Sequence, residues 1–207
     1  MKFEKIVVGI EEANGYIFYD ENSLEAVVID PGDEAKTFMK YIDKRYLKPI
    51  GIILTHYHYD HIAAAEALKK KYQCPINAHK KEIDGLKDPE INYSKREYAK
   101  EVSITPDVLL SHGDTISVGA LQLEVIHTPG HTPGSICLAV KDEKVIFTGD
   151  TVFSDALGRT DLAGGSEAML RKTIRNKVSK WDDDVRVYPG HGESALMAQL
   201  RSRREIK

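Results

Sequence analysis

The chain has 207 residues, of which 42% are hydrophobic and 29% are charged, and its formal net charge at pH 7 is −3. This length predicts a single domain, residues 1–207, that is large enough to bury a sizeable core. The small negative charge excludes the basic surface typical of nucleic-acid-binding proteins, so we expect no nucleic-acid partner. No apolar run approaches membrane-spanning length and the N-terminus lacks the apolar core of a secretory signal, so we expect a cytoplasmic protein with no membrane partner.

The first half of the chain predicts strands followed by helices. Asn14-Gly15, Asp20-Glu21-Asn22 and Asp30-Pro31-Gly32-Asp33 are turn signals that separate apolar runs. The periodicity of those runs predicts an opening meander and then two strand–helix steps. In chain order we predict strands at Lys2–Val8, Asn14–Tyr19 and Ala26–Ile29, a helix from Glu34 to about Arg45, a strand at Ile50–Leu54, an Ala-rich helix at Ile62–Lys71, and a strand–helix step near Pro75–Leu86.

The second half repeats the order of strands and then helices, without a linker or a low-complexity tract between the halves. The basic segment at 201–207 has no aromatic residues between its charges, so we interpret it as the end of a solvated helix rather than as a nucleic-acid-binding face. The predicted elements are strands at Asp114–Val118, Leu121–His127, Ile136–Val140 and Lys144–Thr148, a helix at Ser166–Val178, a strand at Val185–Tyr188, and a terminal helix at Glu193–Arg203.

One short segment contains four side chains that commonly bind metals. His56, His58, Asp60 and His61 follow directly after the apolar strand predicted at Ile50–Leu54. On an extended strand end, residues two apart point to the same side, so the first two imidazoles face one cavity. Any one histidine could be a core or surface residue, and Asp60 could cap the following helix. Imidazole and carboxylate together are nevertheless the donors that zinc and iron prefer, so the cluster predicts a metal site.

Three later strands end in glycine turns that each contain one further potential ligand. His131 lies between two Pro-Gly turns after the strand predicted at Leu121–His127, Asp150 follows Gly149, and His191 lies between Gly190 and Gly192. A single histidine or aspartate in such a turn would more often be structural. Because the same arrangement recurs at three strand ends, we predict that these side chains complete the metal site.

This set of motifs resembles the metallo-β-lactamase superfamily over nearly the whole chain. The matching motifs are His-x-His-x-Asp-His at 56–61, Pro-Gly-His-Thr-Pro-Gly-Ser at 129–135, Gly-Asp at 149–150 and Gly-His at 190–191. The resemblance implies an α/β (α+β) fold, a four-layer αββα sandwich, with two metals at one edge. It also implies the ligands: His56, His58 and His131 for one metal, Asp60, His61 and His191 for the other, and Asp150 as the bridge.

Within the superfamily, Gly158-Arg159-Thr160-Asp161 is most similar to the glyoxalase II and persulfide dioxygenase branch. We therefore expect a binuclear hydrolase of the glyoxalase II type, with zinc as the first choice of metal and iron or manganese as alternatives. A metal-bound hydroxide would attack a thioester such as a hydroxyacyl-glutathione, with Asp60 as the catalytic residue that orients it. One departure concerns the thiol. Glyoxalase II has a C-terminal helical domain that binds glutathione, and this chain ends soon after Gly192, so we expect either that glutathione binds differently here or that the thiol is another one.

Two residues are candidates for substrate binding. Arg159 could hold a substrate carboxylate, or it could brace the loop through Asp161 or Asp150. Tyr93 occupies the position of a leucine in the Asn-Leu-Ser segment of glyoxalase II, and it could contact substrate or only pack in its loop.

The alternative function is a persulfide dioxygenase. It would use a single iron at His56, His131 and Asp150, a two-histidine, one-carboxylate site open to dioxygen. The chain lacks the cysteine often found before the Gly-Arg-Thr-Asp segment in that branch, which favours the hydrolase. Lactonase, β-lactamase and phosphodiesterase activities are further alternatives, whereas a non-catalytic relative would be expected to have lost ligands. The sequence gives no indication of the oligomeric state.

Overall fold

Two mixed β-sheets form the centre of the protein. A computed structural model describes residues 1–98, 100–202 and 206, and within them each sheet has six strands. The first sheet contains, in spatial order, β1 (Lys2–Val8), β2 (Ala13–Tyr19), β3 (Glu25–Ile29), β4 (Lys48–Leu54), β5 (Ile76–His79) and β6 (Val108–Leu110). The second sheet contains, in spatial order from one edge to the other, β7 (Thr115–Val118), β8 (Leu121–His127), β9 (Ile136–Val140), β10 (Val145–Gly149), β11 (Arg186–Pro189) and β12 (Ala195–Leu196).

The helices are short and connect or follow the strands. The longest, α1 and α6, have ten residues each, and no helix in the described residues is long and apolar enough to cross a membrane. Their bounds are α1 (Ala35–Lys44), α2 (Tyr59–Ile62), α3 (Ala65–Tyr72), α4 (Ile83–Lys87), α5 (Ser94–Glu97), α6 (Glu167–Asn176) and α7 (Met197–Leu200). Single 3-10 turns at Lys80–Glu82 and Val178–Lys180 precede α4 and follow α6.

Three separate apolar clusters show that the layers are stacked helix, sheet, sheet, helix. Neighbouring residues of a strand belong to different clusters, as the alternation of side chains in a strand requires. Ile52 packs with the helices that cover the first sheet, whereas Ile53 packs between the two sheets. In the second sheet, Phe147 faces the first sheet and Ile146 faces α6 and α7. The predicted αββα sandwich is confirmed.

The prediction of a turn at Asn14-Gly15 is wrong. Both residues lie inside β2, and the chain turns earlier, at residues 9–12. Glycine is required there by close packing, since a Cβ on Gly15 would lie 2.5 Å from Cζ of Phe38 and 2.8 Å from the carbonyl oxygen of Asp30. An Asn-Gly pair is usually a hairpin signal, and here its two residues are used for contacts that are distant in sequence.

The predicted Ala-rich helix is divided into α2 and α3. The backbone N–H of Ala63 donates to the carbonyl of Gly32 (3.0 Å), and that of Ala64 donates to the carbonyl of Pro31 (3.0 Å). These bonds tie the segment to the turn after β3 and interrupt the regular helix between Ile62 and Ala65. The segment that contains the metal motif is thereby fixed to the first sheet.

The predicted terminal helix at Glu193–Arg203 is largely wrong. The strand β12 and the four-residue helix α7 occupy most of this segment. Arg203, and with it most of the predicted basic helix end, lies outside the described residues. Other predicted elements agree with the structure to within a few residues, while β6 and α5 were not predicted.

Packing between the two sheets is testable with a matched pair of leucines. Leu138 is completely buried between the sheets, and Leu109 on β6 is 50% exposed. We expect Leu138→Ala to lower the free energy of unfolding by about 2–5 kcal/mol, because it removes buried methyl groups and leaves a cavity. Leu109→Ala should cost only a fraction of that. Urea unfolding measures both, and equal losses would contradict this arrangement of layers.

Candidate metal centre

Every predicted ligand lies just beyond the end of a strand, at one edge shared by the two sheets. β4 ends at Leu54, and the segment that follows contains four of the ligands. The second sheet contributes the other three, after β8, β10 and β11. The seven side chains are His56, His58, Asp60, His61, His131, Asp150 and His191.

The ligand atoms form two groups, as the resemblance implied. His56, His58 and His131 form one buried group and Asp60, His61 and His191 form a second, and within each group the potential ligand atoms lie within 4.8 Å of one another. The interpretation of Asp60 as a helix cap is not supported, because α2 has no side-chain cap and Asp60 Oδ2 lies 3.2 Å from Nε2 of His191.

Asp150 lies between the two groups. One carboxylate oxygen, Oδ1, is 3.5 Å from Nε2 of His61 in the second group. The other, Oδ2, is 3.6 Å from Nε2 of His131 in the first group and 3.7 Å from Nε2 of His191. This position fits the predicted bridging role.

Hydrogen bonding in the first group leaves the ligand atoms unsatisfied. The carbonyl of Arg159 can only accept, so Nδ1 of His131 donates to it (2.8 Å) and Nε2 has a free lone pair. Thr55 donates its hydroxyl to Asp30, so its oxygen accepts from Nδ1 of His56 (3.0 Å). Within the described part of the chain, four buried atoms of the centre have no hydrogen-bond partner: Nε2 of His56, His58 and His131, and Oδ1 of Asp150.

In the second group the Nε2 atoms of two histidines face each other. Nδ1 of His61 donates to the Asp30 carboxylate (3.1 Å), and Nδ1 of His191 donates to the carbonyl of Glu11 (2.9 Å). Their Nε2 atoms are only 3.1 Å apart. Two unprotonated nitrogens at this distance would repel, so the pair must hold a proton or a metal ion. Outer hydrogen bonds of this kind orient the histidine ligands of metal sites, and the residues present therefore fit a metal.

Electrostatics also favours a cation here. Burial lowers the pKa of His56 and His58 well below the ordinary value, which keeps both imidazoles in the neutral form that binds a metal. Burial opposes charge on His61 as well, yet the carboxylates of Asp60 and Asp150 beside it raise its pKa well above the ordinary value. The second group thus attracts positive charge, and a divalent ion can replace the proton.

The Asp60 carboxyl is ionised despite its burial. Burial alone would raise its pKa, but His61 and a hydrogen bond from His191 hold the pKa well below the usual range. An ionised carboxylate is the form needed both for a metal ligand and for a group that accepts a proton.

Asp30 supports this centre and was predicted only as part of a turn. Its Oδ1 accepts from the backbone N–H of Thr55 (2.7 Å), and its Oδ2 accepts from the Thr55 hydroxyl (2.6 Å) as well as from His61. The completely enclosed carboxylate therefore fixes the start of the metal motif and the tautomer of one ligand. No local sequence signal distinguishes it from an ordinary turn aspartate.

Asn14 supports the opposite side of the centre. Its side-chain Nδ2 donates to the carbonyls of Pro189 (3.0 Å) and Gly192 (2.8 Å), and its backbone N–H donates to the carbonyl of Gly190 (2.7 Å). These bonds enclose the turn that contains His191. The Asn-Gly pair is therefore explained by the metal centre and not by a hairpin.

A cavity of about 800 Å³ opens onto the ligands, and both candidate substrate-binding residues line it. Much of the remaining wall is apolar or aromatic, with Tyr59, Phe153, Leu157 and Leu162. The mixture of a polar centre and an apolar wall is typical of sites for small organic molecules.

Arg159 lies at the rim of the cavity. Its guanidinium group makes two hydrogen bonds of 2.8 Å to the carboxylate of Asp161. Of the two predicted partners, Asp161 rather than Asp150 receives it. The two side chains are 60% and 68% exposed, so the pair is screened by solvent and contributes little to stability. The guanidinium can therefore exchange this partner for a substrate carboxylate.

Tyr93 has an unusual backbone conformation beside the ligands. Its φ angle is 67°, which is rare for a bulky residue and often marks a functional segment. Its ring centre lies 5.9 Å from that of His58, and its hydroxyl accepts from the backbone N–H of Ala163 (3.1 Å). These contacts hold the ring against the wall of the cavity.

Asp150 should be required for both metals because it lies between the two groups. We expect Asp150→Ala to reduce the metal content of purified protein from the two ions per chain that the resemblance implies to less than one. A lost ligand or orienting partner costs about 10–100-fold in affinity. Elemental analysis measures this, with Asp155→Ala as the control, since Asp155 lines the same cavity but belongs to neither ligand group. An unchanged content of two ions would remove Asp150 from the bridging position.

Comparison with known proteins gives a consistent assignment. Residues 12–203 match the family model described as the metallo-β-lactamase superfamily. The chain is 35% identical to the probable metallo-hydrolase YqgX of Bacillus subtilis, over 93% of this chain and 90% of that protein. It is 32% identical to the hydroxyacylglutathione hydrolase GloC of Haemophilus influenzae, over 96% of this chain and 94% of that protein.

Solved structures agree with this assignment. The B3 metallo-β-lactamase BLEG-1 superposes with a TM-score of 0.91 at 34% identity, covering 98% of this chain and 97% of that one. TTHA1623, solved in a di-iron-bound form, superposes with a TM-score of 0.84 at 26% identity, covering 96% of each chain. The chain belongs to the metallo-β-lactamase superfamily of metallo-hydrolases.

Proposed function

We propose that the protein is a binuclear metal-dependent hydrolase that cleaves thioesters, with an acyl-glutathione as the leading substrate. The observation that carries this proposal is the pair of ligand groups, each with unsatisfied donor atoms, joined by Asp150. A single-metal enzyme would not need the second group of Asp60, His61 and His191. The name of the relative GloC supports a hydroxyacyl-glutathione as the substrate.

The ligand groups fit two divalent ions, for which we propose zinc. When bound there, such ions lower the pKa of water and polarise the carbonyl of the substrate. The chain itself supplies the proton acceptor. The Asp60 carboxylate lines the cavity and is kept ionised by its histidine neighbours, so it can orient the attacking water and take its proton.

A thioester is favoured because none of the histidines that line the cavity is free to act as an acid for a poor leaving group. The histidines that line it are His58, His131 and His191, and each belongs to a ligand group. Burial raises the pKa of the Tyr59 phenol, so this group holds its proton more tightly than usual. An amine or alkoxide would need a proton as it leaves, whereas a thiol with an ordinary pKa of about 8.5 leaves as the thiolate.

The second candidate is a mono-iron persulfide dioxygenase. It is favoured by the unsatisfied atoms of His56, His131 and Asp150, which could hold one iron, and iron is present in the di-iron-bound form of TTHA1623. The equally unsatisfied Nε2 of His58 argues against it, because that atom would have no role. The similarity to BLEG-1 adds β-lactams as a third class to be assayed.

Replacement of His191 separates the two leading functions. In a binuclear thioesterase, we expect His191→Ala to reduce turnover of S-lactoylglutathione by about 100-fold, with far-UV circular dichroism unchanged. In a mono-iron dioxygenase, oxygen uptake with glutathione persulfide should be present and should survive the same change. Nitrocefin tests the β-lactamase alternative. The thioesterase proposal would be contradicted if the unmodified protein consumed oxygen with glutathione persulfide and did not hydrolyse S-lactoylglutathione.

Arg159→Lys tests whether the guanidinium binds substrate. Lysine keeps the charge but loses the planar fork that fits a carboxylate, so we expect KM to rise about tenfold with kcat and zinc content unchanged. The matched control is Arg171→Lys, because Arg171 forms a similar exposed pair with Glu167 on α6 and does not line the large cavity. A normal KM for Arg159→Lys would leave only the loop-bracing interpretation.

A further inference from the structure

We propose that Glu82 is a positioning residue that joins the His131 loop to the His56–His58 segment and so aligns the first ligand group before a metal binds. Glu82 ends the 3-10 turn after β5, the strand that lies next to β4 in the first sheet. Its side chain is completely buried and does not line the cavity. It therefore cannot touch the substrate, and its role must be exerted through its neighbours.

The hydrogen bonds of Glu82 reach into the loop that follows His131. Its Oε1 accepts from the hydroxyl of Thr132 (2.9 Å) and from the backbone N–H of Gly134 (2.6 Å). The Thr132 hydroxyl lies 2.7 Å from the hydroxyl of Ser135, which also accepts from the Thr132 backbone N–H (3.0 Å). The threonine and second glycine of the Pro-Gly-His-Thr-Pro-Gly-Ser motif thus contact one buried carboxyl group, and the serine is joined to it through Thr132.

Close approach also explains the glycine of this motif. A Cβ on Gly134 would lie 2.6 Å from Oε1 of Glu82, so any larger residue would push the loop away.

The same turn packs against the segment that contains the other two histidines. The backbone of Tyr57, between His56 and His58, interacts with the Glu82 carboxyl, although Oε2 makes no well-aligned hydrogen bond. In α4, directly after Glu82, the backbone of Gly85 approaches the Tyr57 ring so closely that a Cβ would lie 2.2 Å from it. Glu82 and its neighbours therefore contact both parts of the chain that form the first ligand group.

A neutral carboxyl group suits this position. In the described residues no lysine or arginine forms an ion pair with Glu82, and burial raises its pKa to about 8 in spite of the hydrogen bonds from Thr132 and Gly134. The titratable side chains around this turn include the Tyr57 phenol, whose pKa burial and Glu82 both raise, and the His79 imidazole, which accepts from the backbone N–H of Lys81 and whose pKa burial lowers to about 4. Lys80 and Lys81, in the turn itself, are exposed. What the loop needs from Glu82 is a buried acceptor, because an unpaired Gly134 N–H would be costly to bury.

Two substitutions test this role in the metal-free protein. Glu82→Leu removes the acceptor, whereas Glu82→Gln keeps an acceptor oxygen and cannot ionise. The control is Glu124→Gln, at an exposed strand position. We expect amide hydrogen exchange at 131–136 to be about tenfold or more faster in Glu82→Leu, and near the unmodified rate in Glu82→Gln and the control. Chelator competition should show about 10–100-fold weaker zinc binding for Glu82→Leu alone.

The pH dependence of stability tests separately whether the buried carboxyl group of Glu82 is neutral. Since the folded-state pKa lies above the ordinary 4.5, the contribution of Glu82 to stability is complete below about pH 4.5 and is lost as the pH rises through about 8. Relative to the unmodified protein, Glu82→Gln should therefore gain unfolding free energy between pH 5 and 8. If Glu82→Leu fails to fold, amide exchange at 131–136 in Glu82→Gln decides the matter, since markedly faster exchange in that variant would contradict the proposal.

Several outcomes would overturn the proposal. They are unmodified exchange and zinc affinity in Glu82→Leu, equal damage in Glu82→Gln, or a Glu82→Gln stability curve parallel to that of the unmodified protein. The inference rests on the metal centre proposed above but not on the substrate. Because exchange is measured without metal, failure of thioester hydrolysis would leave this test unaffected, and the two proposals can fail separately.

Discussion

The structure depends on the convergence of imidazole lone pairs on one small volume. The Nε2 atoms of His61 and His191 lie 3.1 Å apart, and those of His56, His58 and His131 have no hydrogen-bond partner among the described residues. Such an arrangement is unfavourable without positive charge, so the surrounding chain must hold it in place. The binding free energy of the metals would then be gained partly by relieving this repulsion, which links metal content to folding stability.

The two sheets share the task of holding the centre. The first sheet supplies the contiguous metal motif after β4, and the second supplies single ligands after β8, β10 and β11. Neither sheet alone contains a complete ligand group, because both groups draw members from the two sides. The apolar layer between the sheets therefore sets the distance across the centre. A substitution that weakens this packing should therefore lower both the metal affinity and the free energy of unfolding.

Sequence reasoning identified the candidate ligands that the structure brings together, because glycine turns and clustered histidines are local signals. It also gave most strands to within a few residues, since alternation is local as well. It could not find the residues that orient the ligands, whose partners are remote. Asn14 acts on Pro189, 175 residues away, and Glu82 acts on Thr132, 50 residues away. For Asn14 the local rule was misleading, because a pattern typical of a turn was used to hold a distant loop.

The carboxyl groups of Glu82 and Asp60 show how the surroundings of a side chain decide whether it is neutral or charged. Glu82 is completely buried and forms no ion pair with any described residue, and burial raises its pKa to about 8. Burial acts on Asp60 in the same direction, but His61 and His191 beside it hold its pKa well below the usual range. One carboxyl group can therefore serve as a neutral acceptor that fixes a loop, while the other serves as a charged ligand and proton acceptor. Replacement of Glu82 by glutamine should therefore have little effect, because its role does not require a charge. Replacement of Asp60 by asparagine should abolish function, because its role does.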